Sequence, residues 1–570
     1  MKYTVDMPPI TKDWGKEILK HRGITDINKF LYPAADCLQD WHDLDNIDQA
    51  LDMVLWNRDK KIGIIVDCDV DGYTSAAILT QYLRKNLHCG DIKFYMHEGK
   101  QHGLEDKYQE IIDGEKINLL IIPDAGTNDY EYVEKLKEYE IPVVILDHHL
   151  LEGEISDNCV VVNNQISPNY HNKDLSGAGV VYQFIRGLDF RLGLSDAPNY
   201  IDLAALGVCA DMMSALSIEN QYLWREGFSH INNYFFQVLC EKQSYSMKNR
   251  VNPTTVAFYI VPMINAMIRV GTREEKERLF LAFTDGHYQV PSQKRGAKGT
   301  MEEVAVESCR ECVNAKSHQD KKKKEVAEAL EIKIHKNGLL DNKVLFIRLD
   351  DDDDFPAVLN GLVCMQLVAK YKRPTIVARL NDEGYIRGSA RGLNQSELSS
   401  FKNFLNDSGL FEYTIGHDQA FGISIPNDKL QLFHEYANDA LKDFNFNSNI
   451  YSVSIERRAD ADDLGDIIRD LAEYEDVWGQ QNDVPLIAVT NIRITQPDIR
   501  VMGRNQDTVK FTINGVDCIK FFAKDLIQEL SYDEMRINLI GKPVMNEYLG
   551  RKTPQLQIQD IEVFNYALDF

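Results

Sequence analysis

Long apolar runs are missing from this chain. No window of uninterrupted apolar residues approaches the length that spans a bilayer, and the opening "MKYTVDMPPITKDW" lacks the apolar centre of a secretory signal. A cytoplasmic protein with no membrane partner is expected. Basic residues are scarce as well: 63 Lys and Arg stand against 88 Asp and Glu, for a formal charge of −25. Non-specific phosphate binding is driven by Lys and Arg, so this balance excludes a generic nucleic-acid coat while leaving room for a local basic groove. Paired cysteines are lacking too. The 10 cysteines are scattered, and Cys68, Cys209 and Cys364 have apolar or small neighbours that suit reduced, buried thiols. "SCRECVNAK" supplies a C-x-x-C at Cys309 and Cys312, but no second Cys or His pair follows closely enough to complete a zinc site. Internal repeats and low-complexity linkers are absent.

What is present is enough for several cores. At 570 residues, 44% of them apolar, the chain fits about three or four domains of ordinary size. From Lys61 onward short apolar runs, "KIGIIV", "DIKFYM", "NLLIIP", "PVVILD" and "CVVVNN", alternate with helical stretches such as "TSAAILTQYLRKNL". This alternation predicts an α/β domain with a parallel, doubly wound sheet, whose ligands sit beyond the carboxyl ends of the strands. A largely helical region runs from about Ala178 to Ala282, followed by a charged helical connector. Apolar runs return at "KVLFIRL", "RPTIVARL", "GYIRGSARG" and "TIGHDQAFGISI", which suggests a second, smaller α/β domain. Asp350 to Asp354 reads as a solvated loop tip within it. From Pro485 short strands and turns predict a small β-barrel, the OB-fold being one candidate.

The acidic residues gather at strand ends. "IIVDCDVDGYTS" puts Asp67, Asp69 and Asp71 two apart after a buried strand; if the extended geometry continued past Val66, all three carboxylates would share one face. "LLIIPDAGTND" places Asp124 past the next such strand, with Asn128 and Asp129 in the turn. "VVILDHHL" supplies Asp147, His148 and His149, and "IDLAALGVCADMM" ends at Asp211. A lone Asp or His at such a place is most often a hydrogen-bonded structural residue. Four clusters in one parallel-sheet domain are different, because crowded carboxylates repel unless a cation sits among them. Oxygen-rich donors with an imidazole suit Mn²⁺ or Mg²⁺, and the set is large enough for two cations, which points to hydrolysis of a phosphate ester or anhydride.

At these residues the chain resembles the DHH phosphoesterase superfamily. "DCDVDGYTS", "PDAGTND", "LDHH" and "ALGVCADMM" are similar to its four motifs. "LSGAGVVYQFI", "ENQYLWREGF", "VPMINAMIRVG" and "YIRGSARGLN" resemble segments of RecJ-like single-stranded-DNA exonucleases, in the same order. "GHDQAFG" resembles the glycine-histidine motif of the DHH-associated domain, and "VWGQQNDVP" and "NEYLGRKTPQLQIQDIEV" resemble parts of the RecJ OB domain.

The resemblance implies six segments: an N-terminal helical extension at 1–60, a DHH catalytic domain with a helical part at 61–305, and a connecting helix at 306–335. A DHH-associated domain at 336–445, a connecting segment at 446–484 and an OB-like nucleic-acid-binding domain at 485–570 complete the chain. It also implies two divalent cations, Mn²⁺ or Mg²⁺. Asp67, Asp69 and Asp124 would hold one; Asp71, Asp124, His148 and Asp211 the other, with Asp124 bridging. His149 would face the scissile phosphate or orient a ligand, and Asp147 would fix an imidazole tautomer. Asn265, Arg269, Ser389, Arg391 and His417 would bind substrate. Lys520, Phe521, Phe522, Lys542, Tyr548, Arg551 and Lys552 are candidates for a groove on single strands. Two departures stand out: Met263 and Ile268 replace an arginine and a glycine of the family pattern, and Ile415 and Phe421 replace a glycine and an alanine.

The expected activity is 5′→3′ hydrolysis of single-stranded DNA to 5′-mononucleotides in recombination, repair or replication. Single-stranded DNA is the expected partner, a single-strand-binding protein or helicase a candidate recruiter, and a monomer the expected state. The competing expectations are a DHH phosphodiesterase on short oligonucleotides or cyclic dinucleotides, and a non-catalytic replication scaffold.

Overall fold

The computed structural model describes residues 1–99, 101–350, 355–393, 396–446, 450–530, 534–548 and 550–565. The chain divides into two compact units. The first comprises Arg22–Gln319 and Asp476–Asp483, and the second Met1–His21, Asp320–Glu475 and Val484–Phe570.

The first unit is built on five strands, β1 Ile62–Val66, β2 Ile92–Met96, β3 Leu119–Pro123, β4 Val143–Asp147 and β5 Cys159–Asn163. All pair in parallel, in the order β2-β1-β3-β4-β5. Both faces are buried, which is why the strands read as unbroken apolar runs. Ile64, Ile121 and Val144 enter the core on one face, while Ile65, Ile122 and Val143 enter the core on the other. Helices α1 Val70–Asn86, α2 Gly177–Leu192 and α3 Ile201–Ala210 belong to the first of these cores. The chain leaves β1 for β2 on one side and then crosses back to β3 on the other. The carboxyl ends of β1 and β3 therefore flank the point where the strand order reverses, the usual place for a ligand in an open parallel sheet.

Among the described residues one helical stretch, Pro253–Val270, is long and apolar enough to cross a membrane by length and composition, although Thr254, Thr255, Asn265 and Arg269 interrupt its apolar run. Val256, Ile260, Ile264 and Met267 within it are buried in the same core as the sheet. It contains α4 Val261–Val270.

The helix α5 Val304–Lys336 carries Cys309 and Cys312 as buried thiols. In the second unit a five-stranded sheet follows, with β6 Leu345–Leu349, β7 Thr375–Leu380, β8 Tyr385–Arg391, β9 Tyr413–His417 and β10 Ala420–Pro426 in the order β9-β10-β8-β7-β6. Asp350 pairs with Lys333 at 2.7 Å; Asp351 to Asp354 lie outside the described residues.

The C-terminal strands form a seven-stranded mixed sheet. Its members are β11 Ile455–Arg458, β12 Ile487–Thr495, β13 Arg500–Met502, β14 Thr508–Ile513, β15 Val516–Lys520, β16 Glu534–Tyr548 and β17 Arg551–Asn565. They pair in the order β11-β12-β16-β17-β15-β14-β13. The β14–β15 hairpin turns through Asn514 and Gly515, at φ +47° and +78°, the pair of positive φ values that a two-residue turn between twisted strands requires. Residues 1–60 do not form one helical extension. Lys2–Val5 is a strand paired in parallel with Ile450–Val453, a partner so distant in the chain that no local pattern signals it. Helix Trp14–His21 is tied to the second unit by Gly15 N–H, which donates to Asp470 Oδ2 at 2.7 Å.

Candidate metal centre

The three acids after β1 reach their places by three different local structures. Asp67 follows the last strand residue and is buried. Asp69 keeps extended angles, φ −143° and ψ −173°, and caps α1 by accepting from Gly72 N–H at 3.0 Å. Asp71 already lies in the first helical turn. The single extended face expected past Val66 therefore stops at Asp69, because helix capping competes with the strand. The carboxylates still converge, by the sharp strand-to-helix turn and not by alternation.

Asp71 is held by donors that sequence reasoning did not assign. Its carboxylate accepts from Ser176 Oγ–H at 2.8 Å, Gly177 N–H at 2.7 Å and Ala178 N–H at 3.1 Å, at the amino end of α2, where unpaired N–H groups favour an anion. The "SGAG" at this helix start was the available signal. A Cβ on Gly177 would come 2.2 Å from Asp124 Oδ1, and one on Gly207 2.2 Å from Asp71 Oδ1, so side chains are excluded there by the carboxylates themselves.

Asp124 leaves β3 with φ +66°, an uncommon left-handed conformation for a non-glycine residue, while its N–H donates to Leu146 O at 2.8 Å. Its Oδ1 is buried without a hydrogen-bond partner and lies 3.2 Å from His148 Nε2. His148 Nε2 is also 3.6 Å from Asp211 Oδ2, Asp211 being the residue that ends α3. Donor atoms of Asp67, Asp69 and Asp124 lie within 4.8 Å of one another, and so do those of Asp71, His148 and Asp211.

Burial and mutual repulsion act together on these groups. Burial, then the charges of Asp67 and Asp71, push Asp69 up to about 6. Burial, then Asp71 and Asp69, raise Asp211 to about 8 and lift Asp124 well above the carboxylate range. Burial lowers His148. The orphaned oxygen of Asp124 and this excess of crowded negative charge fit a divalent cation bound through oxygen with one imidazole.

The neighbouring pair behaves differently. Asp147 is fully buried and accepts from Thr127 N–H at 3.0 Å and His148 N–H at 2.7 Å, and its Oδ1 lies 2.8 Å from His149 Nδ1. Burial works against the His149 cation, but the hydrogen bond and charge of Asp147 prevail and raise it to about 9. Asp147 thus fixes the imidazole of His149. Asn128 and Asp129 hold loops: Asn128 Oδ1 accepts from Glu152 N–H at 2.8 Å, and Asp129 Oδ2 from Leu104 N–H at 2.8 Å.

A histidine-bearing loop beyond β2 also escaped sequence reasoning. His102 Nδ1 lies 2.6 Å from Asp67 Oδ2, and Gly103 N–H donates to Asp67 Oδ1 at 3.2 Å. "HEGKQHG" comes directly after a predicted strand of the same sheet, which was signal enough to look there.

Asn265 and Arg269 stand one turn apart on α4, and burial lowers the Arg269 guanidinium while the charge of Asp69 raises it. Met263 and Ile268 are both buried in the core. In the second unit, Arg391, Ala420 and His417 are register partners across three strands, as are Ser389, Gly422 and Ile415. Ser389, Arg391 and His417 therefore share one sheet face. Ile415, 67% exposed, stands on that face too, whereas Phe421 points into the core, so only the first of the two departures alters this surface. Phe522 is 90% exposed at φ +53°, beside half-exposed Phe521. Lys520 Nζ contacts Gln559 O, and Arg551 and Lys552 are exposed. The side chain of Tyr548 lies outside the described ones.

Residues 61–208 match the DHH family, N-terminal domain, and residues 459–560 match the RecJ OB domain. The chain is 35% identical over 556 residues to the SPbeta prophage-derived YorK of Bacillus subtilis (strain 168), named for single-strand-DNA-specific exonuclease activity; the match covers 96% of this chain and 95% of YorK. It is 27% identical over 542 residues to the single-stranded-DNA-specific exonuclease RecJ of the same organism, covering 92% of this chain and 63% of that one. The crystal structure of RecJ with Mn²⁺ from Thermus thermophilus shares the fold, with a TM-score of 0.74 at 21% identity over 98% of this chain and 79% of that one.

Proposed function

This chain belongs to the family of single-strand-DNA-specific exonucleases that includes YorK and RecJ, and from that premise we propose that it is a metal-dependent nuclease that hydrolyses single-stranded DNA from the 5′ end to 5′-mononucleotides. The observation that carries the reading is the buried, unpartnered oxygen of Asp124, facing His148 at the reversal point of the sheet.

Asp67, Asp69 and Asp124 would hold one cation, and Asp71, His148 and Asp211 a second, joined by Asp124, whose Oδ1 lies 3.2 Å from His148 Nε2. When bound, such a pair of Mn²⁺ or Mg²⁺ ions supplies a deprotonated water at neutral pH and neutralises charge at phosphorus. The chain's own residues do the remaining work. Ser176, Gly177 and Ala178 fix Asp71, and the β3 terminus fixes Asp124, so the donors are placed before substrate arrives. His149, kept cationic by Asp147, offers an N–H to a phosphate oxygen. Arg269 adds a half-buried positive charge that feels Asp69. Ser389, Arg391 and His417 bind a backbone phosphate on their shared sheet face, where a guanidinium can grip two oxygens at once. Phe521 and Phe522 offer rings on which bases stack.

A scaffold would have no use for a complete donor set, and a dinucleotide phosphodiesterase none for the exposed aromatic pair. The test is Mn²⁺-dependent digestion of single-stranded DNA labelled at either end, with duplex DNA and RNA as controls. Mononucleotides released first from the 5′-labelled end are expected. Cleavage confined to dinucleotides, or none at all from a folded protein, would contradict the reading.

A further inference from the structure

A third donor cluster surrounds Asp67, and it differs in chemistry from the two described above. Cys68 Sγ lies 3.7 Å from His102 Nε2 and 3.8 Å from its Nδ1, and His102 Nδ1 is 2.6 Å from Asp67 Oδ2. One donor atom from each of Asp67, Cys68 and His102 falls within 4.8 Å of the others. The His102 side chain is 57% exposed, so an ion reaches the cluster from solvent.

His97 approaches from another side. Its side chain is wholly buried, with Nδ1 2.6 Å from Asp106 Oδ1, and its Nε2 points at Asp67 Oδ1 across 3.5 Å without forming a hydrogen bond. A carboxylate that accepts an Nδ1–H leaves the other ring nitrogen with its lone pair outward, the arrangement that orients metal-ligating histidines.

Sulfur and nitrogen donors select a borderline-soft ion, whereas Mg²⁺ takes oxygen. Tetrahedral zinc, with Zn–S of about 2.3 Å and Zn–N of about 2.0 Å, sets sulfur and nitrogen about 3.5 Å apart. Cys68 Sγ lies 3.8 Å from His102 Nδ1, the nitrogen that also faces Asp67, already close to that value. The Asp67–His102 pair needs to open by under about 1 Å, which an exposed loop side chain allows.

We propose that Asp67, Cys68 and His102, with His97 behind them, form a site for a thiophilic transition metal such as Zn²⁺, and that its occupation takes Asp67 away from the hydrolytic cation set and inhibits the enzyme. On binding, the Cys68 thiol passes its proton to solvent and the thiolate sulfur bonds the metal. The inhibitory consequence rests on the assignment of Asp67 to a hydrolytic cation; the site itself does not.

The test uses the full chain in excess Mg²⁺, with Co²⁺ as the spectroscopic probe. A near-ultraviolet thiolate-to-cobalt charge-transfer band that saturates at one equivalent is expected, lost in Cys68→Ser and weakened in His102→Gln, with unchanged near-ultraviolet circular dichroism. Absence of the band in the wild type, or its survival in Cys68→Ser, overturns the site. The second arm titrates Zn²⁺ into Mg²⁺-supported digestion of single-stranded DNA. The concentration for half-inhibition is expected to rise at least tenfold in Cys68→Ser, and equal inhibition of both proteins overturns the regulatory claim. Should neither protein digest DNA, the cobalt spectrum still decides the site, so its failure is distinguishable from that of the nuclease reading.

Discussion

His148 Nε2 stands 3.2 Å from Asp124 Oδ1, an oxygen that is buried and has no hydrogen-bond donor. The buried polar groups of a folded protein are nearly always satisfied, so this exception marks a place where stability is given up for binding. Asp124 carries further strain in its left-handed backbone and in the repulsion from Asp71 and Asp69.

Asp124→Asn removes the repelling charge and keeps the shape. Without divalent cation the variant is expected to melt several degrees higher than the wild type, because relief of a buried charge is worth on the order of 1–3 kcal/mol. Its nuclease activity should fall by a factor of about 10³ or more, the scale lost when a central charge-stabilising group is removed. Calorimetry in chelator and digestion assays in Mn²⁺ check the two halves.

Stability of the metal-free protein should fall as pH rises from about 5 to 8. The folded values of Asp69 and Asp211, about 6 and about 8, lie above the unfolded value of about 3.9. The folded state therefore holds more protons in this window, so the stability that these groups contribute is complete below the unfolded value and is lost as pH passes through the folded ones. Cations compete with the same protons. The upward shift in Tm caused by Mn²⁺ should accordingly grow between pH 5.5 and pH 8, which scanning fluorimetry across the series checks.

His149→Gln should separate chemistry from metal binding. His149 is held cationic by Asp147, at a value near 9; it stands within reach of Asp124 and His148, but it belongs to neither the Asp67–Asp69–Asp124 group nor the Asp71–His148–Asp211 group. Expected is a fall in kcat of about 10²-fold, the usual scale for a positioned proton donor, with Mn²⁺ affinity within twofold of the wild type. Parallel loss of metal binding would reassign His149 as a ligand.

Gly177→Ala introduces a methyl group 2.2 Å from Asp124 Oδ1. The backbone at the start of α2 must shift, at a cost of about 1–3 kcal/mol, and the carboxylates of Asp71 and Asp124 shift with it. Activity should drop by at least about 10²-fold, since displacements of about 1 Å carry that penalty, while Gly193→Ala at the other end of α2, where the added carbon meets nothing but φ is +66°, should lose stability through backbone strain and retain activity.

Much of the site was legible because its residues sit at ends of strongly patterned elements. The runs before Asp67, Asp124 and His148 are buried strands of one parallel sheet, and such strands deliver the residues at their carboxyl ends to one edge. The path of the chain after Val66 was not legible, because capping by Asp69 and extension of the strand are both compatible with D-x-D. The donors to Asp71 were hidden for another reason: Ser176, Gly177 and Ala178 act through a hydroxyl and two backbone N–H groups, which have no identity in composition. The pairing of Lys2–Val5 with Ile450–Val453 depends on tertiary placement alone. His97 and His102 follow a predicted strand of the same sheet, which marks their loop as a place to look, but that the loop folds back onto Asp67 is set by tertiary placement.

The most direct measurement is the Mn²⁺ stoichiometry of the full chain by calorimetry and electron paramagnetic resonance, for the wild type and Asp124→Asn. Two donor groups meeting at Asp124 predict two ions per chain with spin coupling between them, and loss of that coupling with at least one ion in the variant. A single uncoupled ion in the wild type, or two coupled ions that survive the substitution, would contradict the account.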